Sequence, residues 1–130
     1  KDRWQRQMCK RDRCVRYALE VDGALHRGYL WSAIELLHYM RHCIMKLFTY
    51  SHDGKRPYQF FQKEADQKMQ VRLGGTLPQY NLKTAQESLS QFIDILTKDL
   101  DQLTGGQVQL TEAHAELLTA IRSRQNDLEF

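Results

Sequence analysis

Proline is nearly missing from this chain, with two residues in 130, and glycine is modest at seven. A polypeptide so poor in both does not build a many-turned β fold, and it lacks the bias of a disordered segment. No run of about 18 apolar residues occurs, so no membrane-spanning helix is expected. The opening residues do not show the charged-then-apolar pattern of a secretory signal. Lys1 rather than Met begins the chain, and the expectation is a piece excised from a longer protein. The cysteines, Cys9, Cys14 and Cys43, are odd in number and lack zinc-type pairing. Free thiols in a reducing cytoplasm follow, which sets the expected location. Also missing are an H-E-x-x-H motif, the glycine spacing of a P-loop and any Ser-His-Asp or Cys-His arrangement.

What remains is a chain of helical stripes, long enough to bury a core as one domain over 1–130. From Asp2 to His26 apolar residues recur at helical spacing, and Gly28 is placed to end that helix in a left-handed turn. A second helix is predicted from Tyr29 to Ser51, with Leu30, Ala33, Leu37, Met40, Ile44 and Phe48 on one arc and Asp53-Gly54 as its stop. Pro57 opens a third, whose stripe runs through Tyr58, Phe61, Ala65, Met69 and Leu73 to Gly74-Gly75. The fourth, over 81–103, carries the cleanest apolar series and ends at Gly105-Gly106. Thr111 reads as the N-cap of a last, shorter helix, with Glu112 favoured in its first turn and fraying expected after Arg124. The predicted fold is all-α: an antiparallel up-and-down four-helix bundle with a short fifth helix.

Charge is uneven. The first sixteen residues hold seven basic side chains against Asp2 and Asp12, an excess of five in a chain whose net charge is only +3. A phosphate-facing patch is one reading, and a solvated face, or one meeting an acidic partner, is the simpler one. Trp4 is the only aromatic among these cations, so the stacking half of a nucleic-acid platform is missing and nucleic acid is disfavoured as a partner.

The stretch IELLHYMRHCIMK, 34–46, holds the chemistry. Opposite the core arc of the second helix, Trp31, Glu35, Tyr39, His42 and Lys46 form a row. An aromatic there can hold a sugar or base, Glu35 can take a proton, and His42 or Lys46 can meet a phosphate. An ordinary charged outer face has the same composition. His38 and His42 are spaced as two metal ligands would be, but no second cluster completes a set, so no metal is expected. Arg41 falls inside the apolar arc and is expected to pair with a carboxylate of another helix, such as Glu20, Asp22 or Asp94. The turn DGKRPY adds Lys55 just before a helix start, where an anion could be met, although an ordinary basic turn reads the same way.

The segments HRGYLWSAIELLHYMRHCIMKLF, YSHDGKRPYQFFQKEADQKM and LGGTLPQYNLKTA resemble the C-terminal helical domain of the aminoglycoside-type nucleotidyltransferases, in the DNA polymerase β superfamily. The resemblance covers Ala24 to Leu103. It rests on an Arg-Gly step before an Ala- and Leu-rich helix, a Gly-Lys turn into a third helix and a Leu-Pro segment before the fourth. It implies the substrate-binding half of an enzyme that transfers a nucleotide to the hydroxyl of a small, antibiotic-type acceptor. The family's α/β catalytic half carries a Gly-Ser step and paired acidic residues for Mg²⁺. This chain has no Gly-Ser dipeptide, so it would be inert alone, with no cofactor of its own. ATP or another NTP with Mg²⁺ would belong to the intact enzyme, and a catalytic nucleotidyltransferase domain or subunit would be the partner. Glu35 is then the candidate general base, Trp31, Tyr39 and His42 the acceptor-binding residues, and Lys46 and Lys55 the phosphate-binding ones. The alternatives are a stand-alone HEPN-like partner of a minimal nucleotidyltransferase and a helical protein-interaction module. A homodimer is compatible with either. Ribonuclease activity of the HEPN kind is disfavoured, because Arg41 directly precedes His42 without the spacing which that motif needs.

Overall fold

At Gly28 the backbone turns left-handed, with φ +72°, and the chain reverses. The Tyr29 amide donates to the Ala24 carbonyl at 2.8 Å, closing the end of α1 (Arg3–Arg27) before α2 (Leu30–Ser51) begins. The computed structural model describes residues 3–130, so Lys1 and Asp2 of the basic opening segment lie outside the described residues. α1 and α2 run antiparallel along most of their length: Gln7 near the start of one bonds Ser51 at the end of the other. Their shared seam is dry, with Cys14, Ala18, Val21, Ala33, Leu37 and Met40 buried.

The fold is an all-α bundle, and no strand occurs among the described residues. Besides α1 and α2 it uses α5 (Leu82–Asp94), continued through a π-helical turn (Ile95–Asp99) into α6 (Leu100–Thr104), and α7 (Glu112–Asn126). α7 packs on α1 and α5. It runs alongside α1 in the same direction, since Asp12 meets His114 and Asp22 meets Arg124. Phe92, Leu89, Leu96, Leu118 and Ile121 fill the centre.

Local signals account for most boundaries. Asn81 accepts from the Thr84 amide at 2.8 Å and Thr111 from the His114 amide at 3.0 Å, each satisfying an N–H that the helix start leaves open. Gly105 is left-handed at φ +60° and stops α6.

Two expectations about extent are corrected. The third stripe is not one helix but two, α3 (Pro57–Glu64) and α4 (Gln67–Gly74). Ala65 is extended, and Asp66 caps α4 by accepting from the Met69 amide at 2.8 Å. The Gln70 amide reaches back to the carbonyls of Phe61 and Gln62 at 2.9 and 3.0 Å. For the Gln62 carbonyl it replaces the donor that a continuous helix would have supplied, while the Phe61 carbonyl also accepts from the Ala65 amide at 3.0 Å. The end of α7 does not fray at Arg124. The helix reaches Asn126, and buried Gln125 donates to Asp22 at 2.6 Å.

Candidate functional site

The outer row of α2 divides into two zones. Trp31, Glu35 and Tyr39 are exposed. Trp31, 70 % accessible, lies against Tyr80 with ring centroids 4.8 Å apart. Tyr39 stands 5.6 Å from Tyr17 of α1. The Glu35 carboxylate, within reach of the Tyr39 hydroxyl one helical turn on, pushes that phenol's pKa up, with lesser help from burial. An exposed carboxylate can accept a proton from a hydroxyl brought within hydrogen-bond reach, and an exposed ring can pack against an apolar face.

His42 and Lys46 are half-buried, not fully outward as the wheel drew them. The His42 ring lies 5.1 Å from Tyr58 of α3, and its buried Nδ1 has no hydrogen-bond partner among the described residues. Burial, then the charges of Lys46, His38 and Lys10, lower its pKa, which favours neutral imidazole. Lys10 of α1 faces Lys46 at close range. Burial, Lys46 and Arg13 together pull the Lys10 ammonium below the ordinary lysine value.

Lys46 and Lys55, the phosphate-binding residues that the resemblance implies, line one cavity of about 420 Å³ where α2 ends and α3 begins. Arg6 and Arg56 join them in its wall. Arg6 lies over the Tyr50 ring, 5.3 Å from its centre. The wall's carboxylate, Asp53, pairs with Arg3 at 3.2 Å. The turn is shaped by Gly54: a Cβ there would sit 2.4 Å from the Phe60 ring, so a side chain would force the turn off α3. Asp53 and Arg56 on either side are both left-handed, at φ +56° and +59°. No side chain caps α3, and its start, at Pro57, also lines the cavity.

Arg41 departs from expectation. Among the described residues it pairs with no carboxylate: Nε and an amino nitrogen donate to the Thr76 hydroxyl and carbonyl at 2.9 and 2.7 Å, and the guanidinium lies 5.5 Å from the centre of the Phe92 ring. The partners expected for it are engaged or distant in role. Asp22 holds Arg124, Asp94 holds Arg122, and Glu20 is exposed. Thr76 is reachable because α4 brings the following turn onto α2, a placement no local pattern announces.

Sequence reasoning missed Tyr80 as a member of the site, and counted Arg6 and Lys10 only within the basic opening segment and Arg56 only within the turn DGKRPY. Tyr80 is a lone aromatic in the link after Leu77-Pro78, which is the only local hint. The others are ordinary basic residues until the helices meet. A further cavity of about 300 Å³ lies between α5 and α7. In its wall Arg122 holds Asp94 and the Ser90 carbonyl and Gln86 holds Gln125, while the buried Arg122 Nε has no hydrogen-bond partner among the described residues. Among the described residues no three His, Cys, Asp or Glu side chains gather to hold a metal ion, and no helix is long and apolar enough to cross a membrane. No protein-family model, curated protein or solved structure matches the chain.

Proposed function

We propose that this chain is the substrate-binding helical part of a nucleotidyltransferase acting on the hydroxyl of a small cytoplasmic acceptor of the antibiotic type. The observation that carries the reading is the continuity of the site. The exposed aromatic–carboxylate row of α2 ends at Lys46, and Lys46 is itself part of the cationic cavity. An acceptor lying along the row would therefore meet an anionic co-substrate at its end.

In this reading Trp31 and Tyr39, with Tyr80 behind Trp31, hold the acceptor ring. His42, kept neutral, lines the passage between the two zones. The acceptor oxygen bonds to the α-phosphorus, the bond from that phosphorus to the bridging oxygen breaks, and pyrophosphate leaves with the electron pair. The acceptor's proton passes to the Glu35 carboxylate. Mg²⁺ and the groups that hold it belong to a catalytic domain or subunit. Cationic walls and a carboxylate already paired make the cavity the wrong setting for a metal and a suitable one for phosphate.

Replacing Glu35 by Gln in the intact enzyme tests this. Turnover should fall by about 10²- to 10⁴-fold, the usual weight of a general base, with the melting temperature unchanged. Wild-type turnover would remove Glu35 from the mechanism. The exposed Trp31–Tyr80 pair favours one second reading, in which it anchors a protein contact and the chain is a HEPN-like partner of a minimal nucleotidyltransferase. In that case Trp31→Ala would abolish complex formation and Glu35→Gln would leave turnover intact.

A further inference from the structure

Folding brings cations together here without bringing carboxylates to match. Lys46 of α2, Arg6 of α1 and Lys55 and Arg56 of the turn before α3 line one cavity. Its carboxylate, Asp53, is already taken by Arg3. Like charges held close repel, and a fold that holds them so is poised for a bound anion to remove the cost.

The distribution of these cations says what kind of anion. Four side-chain cations, Arg6, Lys46, Lys55 and Arg56, line the one cavity. A single phosphate would leave part of that charge unmatched. Two linked phosphoryl groups would match more of it and reach more of the wall. The cavity, at about 420 Å³, falls within the usual range of ligand pockets, about 300–1,000 Å³. Tyr50, the aromatic ring in its wall, is already covered by Arg6, so no ring there is free to stack a base, as a single-stranded nucleic-acid site would need. Arg6, spread on that ring, is pre-positioned for a fork of hydrogen bonds to phosphoryl oxygens.

We infer that the cavity between α1, α2 and the turn before α3 is a site for two linked phosphate groups, such as inorganic pyrophosphate or the terminal phosphates of a nucleoside triphosphate, with Arg6, Lys46, Lys55 and Arg56 as its ligands. The affinity for linked phosphates stands apart from the transfer reading above, because Glu35 lies about 16 Å before Lys46 along α2.

Calorimetric titration of the chain with inorganic pyrophosphate, orthophosphate, AMP and ATP, at one ionic strength, is the test. Pyrophosphate and ATP should bind at least about tenfold more tightly than orthophosphate and AMP, the scale of one additional charge-assisted hydrogen bond. Lys46→Gln and Arg6→Gln should each weaken pyrophosphate by about tenfold. Lys55→Gln, in an exposed turn where folding is not at risk, should weaken it measurably, and Lys83→Gln on α5 should not. Equal affinity for orthophosphate and pyrophosphate, or no effect of Lys46→Gln and Lys55→Gln, overturns the site. So does preferential binding of a single-stranded RNA with a steep salt dependence. The two proposals fail separately. Pyrophosphate binding alongside full turnover of Glu35→Gln would keep this site and sink the general-base reading. A crippled Glu35→Gln enzyme, whose helical part ignores pyrophosphate, would do the reverse.

Discussion

Trp31 on α2 and Tyr80 in the link before α5 lie ring to ring, centroids 4.8 Å apart and planes inclined by 43°, while both remain mostly open to solvent. Exposed aromatics that touch each other and little else offer a preformed surface for a ring-shaped ligand. The chain has two tryptophans, so Trp4→Phe leaves Trp31 as the sole indole. In that background Tyr80→Ala should move the Trp31 emission, and an aminoglycoside that occupies the row should move it further. Identical spectra in the presence and absence of Tyr80 would show that the pair does not form in solution.

Asp22 ties the end of the chain to α1. Only 4 % exposed, it accepts from Gln125 at 2.6 Å and from Arg124 at 2.9 Å. Removing its carboxylate strands a buried amide as well as losing charge-assisted bonds. Asp22→Ala should therefore cost about 2–4 kcal/mol in urea denaturation. The double variant with Arg124→Gln should be less unstable than the sum of the single ones, since the two side chains share one interaction. Additive losses would mean the pair is not formed.

The Asp94 carboxyl is subject to opposing influences. Burial pushes its pKa up. The hydrogen bond and charge of Arg122, at 2.9 Å, with the weaker pull of Lys98, outweigh burial and bring it below the reference value of 3.8. A carboxylate whose folded pKa is depressed contributes stability that is present above the unfolded pKa and lost as pH falls through the folded one. The urea midpoint of the protein should thus drop as pH is taken below about 4. Asp94→Asn should start lower at pH 6 and lose less on acidification. Parallel curves for the two proteins would refute the linkage.

His42 gives a spectroscopic reading of the cationic cluster. Burial comes first and the charges of Lys46, His38 and Lys10 follow in holding its pKa below 6.5. Because the folded state favours neutral imidazole, its contribution is complete above pH 6.5 and disappears as pH falls through the lowered folded value. An NMR titration of the ring protons should show this depression. Lys46→Gln should raise the midpoint, and saturating pyrophosphate should raise it too by offsetting the Lys46 charge. An unchanged midpoint in Lys46→Gln would mean the two side chains do not sense each other.

The helices were legible because their signals are local. Gly28 ends α1 since left-handed backbone suits a residue without Cβ, and Thr111 starts α7 since its hydroxyl reaches an open amide. The row from Trp31 to Lys46 followed from helical period alone. The break at Ala65–Asp66 was less visible, because Phe61, Met69 and Leu73 keep their apolar spacing across it and all reach the core. What marks the division of α3 from α4 is extended Ala65, the Asp66 cap and Gln70 reaching back to Phe61 and Gln62, none of which hydrophobic periodicity registers.

The primary structure by itself determined an all-helical chain, most of its boundaries, and an α2 whose outer side carries Trp31, Glu35 and Tyr39, because capping and amphipathic period act within a few residues; packing left His42 and Lys46 half-buried. Packing decided the rest. Arg41 went to Thr76 rather than to a carboxylate, Tyr80 came to lie on Trp31, and Lys10 met Lys46 beside a cavity shared with Arg6 and Lys55. Those pairings join residues far apart along the chain. Their energies depend on which helices lie side by side and how far each is buried, and no local pattern of residues encodes that.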